Sequence, residues 1–568
     1  MGVWKYRVKD LPESTSEEKY HPVIEALLTA RGYVDETARE RFLFPNFDRD
    51  VHDPFLFSEM ERVVERIGFA KEASEHVGVL GDYDADGVTS SVIISEALKA
   101  LGVSISVFIP EKLNEGHGLN INALDFFERE NVKLVLALDC GMANYDEIIE
   151  AKKRGMDVIV IDHHNASQML PEAFAIINPK LPGETYPFRE LCGAGTSFKV
   201  AQALYTRYLP REVDQLKWIL DVVAVGTVAD VMPLVGENRV ITKYGLIVLG
   251  KTRRVGFQEM FSVSSIRIDE YAKPNARMIG FQIAPRINAA SRMAHAMLAH
   301  ELLMENDRVH ARVLALELDA HNTARQKISA GLAEEVRKIA REKYAEQKFI
   351  FAVEKHFPFG IVGLIAGRIA NEFHKPTCVL AKGEKTSQGS FRSIPELNII
   401  EILEQCGDLL VKFGGHSQAA GMTIRNENLK IFYEKFNKLV EERLTGIATE
   451  PELWIDARLK SEHISPNLLR DIMLFAPFGD GNSEPVFMLE NMCVLEMRLV
   501  GNSNKHLKLK LAPENGGKSF DAIGFSFGEA FSDLQKGEHL DVVFQLNENT
   551  WNGSTSIQLK LLDLRRRN

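Results

Sequence analysis

Three carboxylates stand within five residues in the stretch Gly81-Asp82-Tyr83-Asp84-Ala85-Asp86-Gly87. Like charges packed this tightly raise one another's pKa unless a cation neutralises them, so the cluster reads as a site for divalent metal. Two groups of the same character follow, Asp139-Cys140-Gly141 and Asp162-His163-His164-Asn165, and a further acid, Asp230, closes the apolar segment Val222 to Val228. Hard carboxylate oxygens with imidazole and no thiolate select Mn²⁺ or Mg²⁺ over structural zinc, and the nitrogen donor favours Mn²⁺. Two such ions about 3.5–4 Å apart, bridged by one carboxylate, are the arrangement that drives phosphoryl transfer. Asp139, alone on its segment, is the natural bridge. Neighbouring side chains in extended chain point opposite ways, so only one histidine of the pair reaches the metal directly. His163 is expected as the ligand, His164 as a supporting or phosphate-contacting group, and Asp162 as a carboxylate that orients an imidazole.

The elements that must position these groups are legible as well. Val77 to Leu80 reads as a short buried strand, and Thr89 to Leu101 as a helix stopped by Gly102, which puts the first three acids on the loop leaving the strand. Val103 to Ile109, Val132 to Leu138 and Val158 to Ile161 read as further strands, and Tyr145 to Arg154 as an amphipathic helix ended by Gly155. Strands alternating with helices predict right-handed crossovers and a mostly parallel sheet. In such a sheet all three acid-bearing ends fall on one edge, where open α/β sheets bind ligands.

The rest of the chain divides into regions of different texture. Residues 1–70 read as a polar helical extension without chemistry, and 71–300 as the α/β domain just described. Residues 301–345 read as a long connecting helix with Ile328, Leu332, Val336 and Ile339 at helical spacing. Residues 346–447 return to α/β patterning and hold a glycine-rich turn, Phe413 to Gly421. Residues 452–568 alternate as short strands separated by turns, which predicts a small closed barrel of the OB kind. Arg286 and Arg292, in Pro285 to Arg292, and Arg392, in Gly389-Ser390-Phe391-Arg392-Ser393, are candidate phosphate ligands. Small neighbours let a phosphate approach backbone and guanidinium together. Surface arginines in turns are the plainer alternative. His416, beside Gly414 and Gly415, reads equally as a phosphate contact or a turn residue. In the barrel, Phe520, Phe525 and Trp551 near Lys508 and Lys510 either stack bases or fill the core, and core packing is the commoner role.

Composition bounds these readings. At 568 residues the chain is too long for one core. Its net charge of -11 means that any grip on nucleic acid must come from local basic patches or from metal bridging the phosphates. The five cysteines are scattered with no C-x-x-C pair, which argues against zinc and disulfides and fits a reducing cytosol. The N-terminus has no apolar core of a signal peptide, and Trp218 to Val235 is interrupted by Asp221 and Asp230, a poor membrane span. A cytoplasmic protein without a membrane partner is expected.

Gly81 to Gly87, Asp139-Cys140-Gly141, Asp162-His163-His164 and Val228-Ala229-Asp230 resemble the four signature motifs of the DHH phosphoesterase superfamily. Phe413 to Gly421 is similar to the glycine-rich signature of its DHH-associated domain. Pro285 to Arg292, the connecting helix, and Pro477-Phe478-Gly479-Asp480-Gly481-Asn482 before the barrel resemble the RecJ family of bacterial single-strand-specific exonucleases. The likeness runs from about residue 60 to 565. It implies 5′ to 3′ degradation of single-stranded DNA to mononucleotides in recombination and repair, with two Mn²⁺ or Mg²⁺ ions. Carried over by motif, Asp84, Asp86, Asp139, His163 and Asp230 bind metal, Asp82 and His164 support catalysis with Asp139, and Ser390 and Arg392 hold a 5′ phosphate. Lys112 and His117 stand where relatives usually show an arginine and a tyrosine, and Ser291 where glycine is common. A lysine offers a point charge in place of a fork. A RecQ-type helicase and a single-strand-binding protein are the implied partners. Three alternatives remain: a DHH enzyme acting on short oligoribonucleotides or cyclic dinucleotides, a non-catalytic replication scaffold, and, more weakly, a family II pyrophosphatase. The first and last lack the barrel, and the scaffold should have lost metal ligands that are all present here.

Overall fold

The computed structural model describes residues 2–8, 11, 20–111, 115–166, 169–269, 272–514, 516–551 and 554–567. The chain opens on strand β1 (Val3–Val8), followed by the helices Pro22–Ala30 and Glu36–Leu43. It then builds a five-stranded sheet from β2 (His76–Gly81), β3 (Ile105–Phe108), β4 (Val132–Leu138), β5 (Asp157–Ile161) and β6 (Ala175–Ile177). The order is β3-β2-β4-β5-β6 and every pair is parallel. The strands are apolar on both faces because both faces are covered. Val77, Val79, Leu134, Leu136, Leu138, Ile159 and Ile161 pack with the helices Ala85–Ala100, Gly193–Tyr208 and Leu220–Ala229. The alternate residues Leu80, Val135, Ala137, Val158 and Val160 pack with Leu124, Phe127, Ile148 and Ala151 on the other side.

Two local readings change. The helix after β2 begins at Ala85 instead of Thr89, because the Asp84 carboxylate accepts from the N–H groups of Asp86 and Gly87 at 2.9 and 3.1 Å and caps it. Asp86 therefore lies in the first turn and not in a loop. The glycine-rich stretch at 413–421 is largely two paired strands with a short turn between them, as described next.

A 36-residue helix, Arg308–Lys343, joins this lobe to the next. At 1.5 Å per residue it is roughly 54 Å long. Its first half buries Ala311, Leu314, Ala315 and Leu318 in the catalytic lobe, and its second half buries Ala333, Val336 and Ala340 in the second lobe. Between them, residues 323–331 have no buried side chain. The second lobe is a mixed sheet of β7 (Ile350–Glu354), β8 (Thr377–Lys382), β9 (Thr386–Arg392), β10 (Leu410–Gly415) and β11 (Ala419–Arg425), in the order β10-β11-β9-β8-β7. The helix Phe359–Phe373 packs against it.

The last region contains β12 (Glu452–Arg458), β13 (Phe487–Val500), β14 (His506–Pro513), β15 (Phe520–Gly524), β16 (His539–Trp551) and β17 (Ser554–Arg566). β13 pairs with both β14 and β16, so five strands close on themselves into the expected barrel. Leu507, Leu509 and Leu511 face its core, and so does Phe520, only 2% exposed, which rules it out as a base-stacking surface. Phe525 is 55% exposed. The Trp551 side chain lies outside the described residues.

The purely helical, separate extension expected at the N-terminus is not what forms. Instead β1 adds to β12 in parallel, with Lys5 opposite Trp454 and Tyr6 opposite Ile455. Val23, Ile24, Leu27, Leu28, Phe42 and Leu43 fill the barrel's core. Among the described residues no helix is long and apolar enough to cross a membrane.

Candidate active site

The carboxyl ends of β2, β4 and β5 converge. Only glycine lets the turn after β2 close this tightly: a Cβ at position 87 would lie 2.5 Å from the backbone of Asp82. Asp86 is 1% exposed and accepts the N–H groups of Gly193 and Ala194 at 2.7 and 2.8 Å, at the start of the helix Gly193–Tyr208. Asp139 leaves β4 with φ +58°, a left-handed conformation in a residue other than glycine. Val231, next to Asp230, has φ +56°, rarer still for a β-branched residue. Such strain gathers where a fold fixes functional side chains.

His163 Nε2 stands 3.1 Å from Asp139 Oδ1, 3.5 Å from Asp230 Oδ2 and 3.8 Å from Asp86 Oδ2. His164 turns the other way, with Nδ1 2.8 Å from Asp162 Oδ1 and nearly half its side chain exposed. Asp162 also accepts the backbone N–H groups of His163 and His164 at 2.7 and 3.1 Å. The ligand atoms fall into sets within 4.8 Å of one another: Asp86, His163 and Asp230; Asp82, Asp84 and Asp139; and Asp139 with Asp162, His163 and His164. Asp139 thus lies where the first two sets meet. His117, noted in the sequence only as a departure from relatives, holds Nδ1 2.9 Å from Asp82 Oδ1.

Burial, and then the neighbouring acids, push Asp86 up to about 6 and Asp230 to about 8, and hold Asp139 well above the usual carboxylate range. Burial and the adjacent His164 push His163 down to about 3, so it is a neutral imidazole. Against the pull of burial, the Asp162 hydrogen bond lifts His164 to about 9, and Asp162 itself is held at about 2. Asp139 Oδ1 and His163 Nδ1 are buried and have no hydrogen-bond partner among the described residues. Crowded acids that can ionise only against one another, with a neutral imidazole among them, fit divalent cations of the Mn²⁺ or Mg²⁺ type.

The candidate phosphate ligands are spread over both lobes. Arg292 donates from Nη1 to Gly360 O at 2.9 Å, linking the helix Ala284–Met293 to the start of Phe359–Phe373. Arg392 Nη1 donates to Ser390 Oγ at 2.6 Å, and a Cβ at Gly363 would lie within 3.4 Å of both residues. Arg286 is already engaged, by Asp319 at 2.9 Å and Gln282 O at 2.6 Å. His416 is exposed in the turn between β10 and β11. Lys112 lies outside the described residues.

Three family models match: the DHH family N-terminal domain over residues 76–227, the DHHA1 domain over 346–444 and the RecJ OB domain over 455–563. Fold and site together define a metal-dependent phosphoesterase of the DHH class. Single-stranded-DNA-specific exonuclease RecJ of Bacillus subtilis is 34% identical, over 98% of this chain and 69% of that one. Its namesake in Haemophilus influenzae is 30% identical over 95% of each. The chain belongs to the RecJ family. The crystal structure of RecJ in complex with Mn²⁺ from Thermus thermophilus superposes with a TM-score of 0.83, at 28% identity, over all of this chain and 80% of that one. The Mg²⁺ complex from the same organism superposes with 0.77, at 26% identity, over all of this chain and 79% of that one.

Proposed function

We propose that this chain is a single-stranded-DNA-specific exonuclease that removes nucleotides one at a time from a 5′ end, in recombination and repair. The observation that carries the reading is the meeting of two ligand sets at Asp139, close to His163. Asp84, Asp86, Asp139, His163 and Asp230 would hold two Mn²⁺ or Mg²⁺ ions, which supply Lewis acidity and a nucleophile at neutral pH. Asp82, braced by His117, steadies the set next to Asp84. His164, kept protonated by Asp162, offers a charged N–H to an oxygen of the scissile phosphate. Ser390 and Arg392, with Arg292, receive the terminal phosphate. Lys112 and His416 are assigned to the same strand, whereas the engagement of Arg286 with Asp319 makes it a brace for the Arg292 helix. The expected setting is the cytoplasm, on strands that a RecQ-type helicase opens and a single-strand-binding protein covers.

The test is degradation of a 3′-labelled single-stranded oligomer with Mn²⁺, Mg²⁺ or EDTA, beside a matched RNA and a duplex. A ladder that shortens stepwise on single-stranded DNA alone, and vanishes in EDTA, is expected. Early release of labelled mononucleotide would reverse the polarity. Activity confined to very short RNA would move the chain to the oligoribonuclease branch, and inactivity with both metals would favour a scaffold.

A further inference from the structure

Arg325 sits on the bare middle of the long helix in an unusual setting. Its Nη2 donates to Asn322 Oδ1 at 2.9 Å, but its Nε is buried with no partner among the described residues. The charged groups acting on it are cations: burial, then Arg292 and Arg286, lower its pKa. Arg286 is neutralised by Asp319, so the uncompensated charge lies on Arg292 and Arg325. Arg292 also keeps a buried, unpartnered Nε among the described residues, and it stands within electrostatic reach of Arg392, Asp84 and Tyr83.

Two half-satisfied guanidiniums held together against their repulsion call for an anion with several acceptor oxygens. A carboxylate would offer two, whereas a phosphodiester offers oxygens in a geometry that guanidinium forks match. Arg392, which faces the proposed terminal phosphate, is not among the groups acting on Arg325, so the two arginines serve different places on the strand.

We propose that Arg325 binds an internal phosphodiester of the substrate strand, making the helix that joins the lobes part of the nucleic-acid groove. This deepens the exonuclease reading and rests on it. Because residues 323–331 bury no side chain in either lobe, the strand itself would brace that span.

The test is fluorescence anisotropy of single-stranded oligonucleotides, 5′-phosphorylated and 5′-hydroxyl, binding the full chain with Ca²⁺ in place of Mn²⁺, across a range of salt. Arg325→Gln should bind both strands about tenfold more weakly. It should also reduce the slope of log Kd against log salt by about 0.7, the value of one phosphate contact on a single strand. Arg325→Lys should restore the slope but only part of the affinity. Arg308→Gln, on the same helix but paired with Glu259 at 2.9 Å, should change neither. Unchanged affinity and slope in Arg325→Gln would overturn the proposal, as would a loss confined to the 5′-phosphorylated strand. Failure of the wild-type chain to bind single-stranded DNA at all would instead overturn the exonuclease reading.

Discussion

Asp139 owes its position to backbone as much as to charge. Its left-handed φ of +58° turns the carboxylate out of β4 toward His163, and Gly193 leaves it room, since a Cβ there would lie 2.7 Å from that of Asp139. Asp139→Ala should lower exonuclease activity by at least about 10²-fold, and near-normal turnover would remove it from the site. The raised Asp86 and Asp230 pKa values make a pH prediction. A cation must displace protons from these carboxyls, so Mn²⁺ affinity should rise with pH through the interval from about 6 to about 8. Calorimetry in buffers of different ionisation enthalpy should show protons released on binding; the same heat in every buffer would contradict this. At this scale the acids and histidines were legible, because clustered like charges announce a cation. The roles of His117 and Arg325 were not, since each depends on a residue distant in sequence or on an orphaned nitrogen.

At the level of elements, the site depends on how tightly strand ends turn into helices. Gly87→Ala should push Asp82 and Asp84 apart, given a Cβ only 2.5 Å from the Asp82 backbone. It should weaken Mn²⁺ binding at least about tenfold while leaving helical circular dichroism nearly unchanged. Unaltered metal affinity would show that the turn has slack. The parallel sheet was readable from continuous apolar strands alternating with amphipathic helices. The early helix start was not, because Asp84 serves as both candidate ligand and cap, and apolar patterning gives no signal for a cap. The hairpin at 413–421 was concealed by its glycines, which look like loop residues until β9 is there to pair with β11.

Across the whole molecule, buried charge ties the regions together. Lys199 and Glu237 are fully buried and 3.1 Å apart, and Tyr186 donates to the same carboxylate at 2.6 Å. Glu237→Ala leaves the lysine unpaired and should cost about 3–5 kcal/mol, read from chemical denaturation. A loss below about 1 kcal/mol would mean that the lysine finds other partners. Two residues along, Arg239 donates to Phe42 O, Leu474 O and Phe475 O at 2.6–2.9 Å, joining the catalytic lobe to the N-terminal helices and the segment before the barrel. Three regions were visible in the sequence as changes of texture. Their dependence on the first 50 residues was not, because a six-residue strand carries no mark of a partner so far along the chain.

That pairing of β1 with β12 sets an order of events during synthesis. At about 5–20 residues per second the ribosome needs roughly 20–90 s to travel from Val8 to Glu452. For all that time the first strand and the apolar faces of the helices behind it have no partner, while the catalytic lobe is already complete enough to fold. The barrel therefore closes last and around the oldest part of the chain, and the newborn N-terminus is the segment in greatest need of a chaperone.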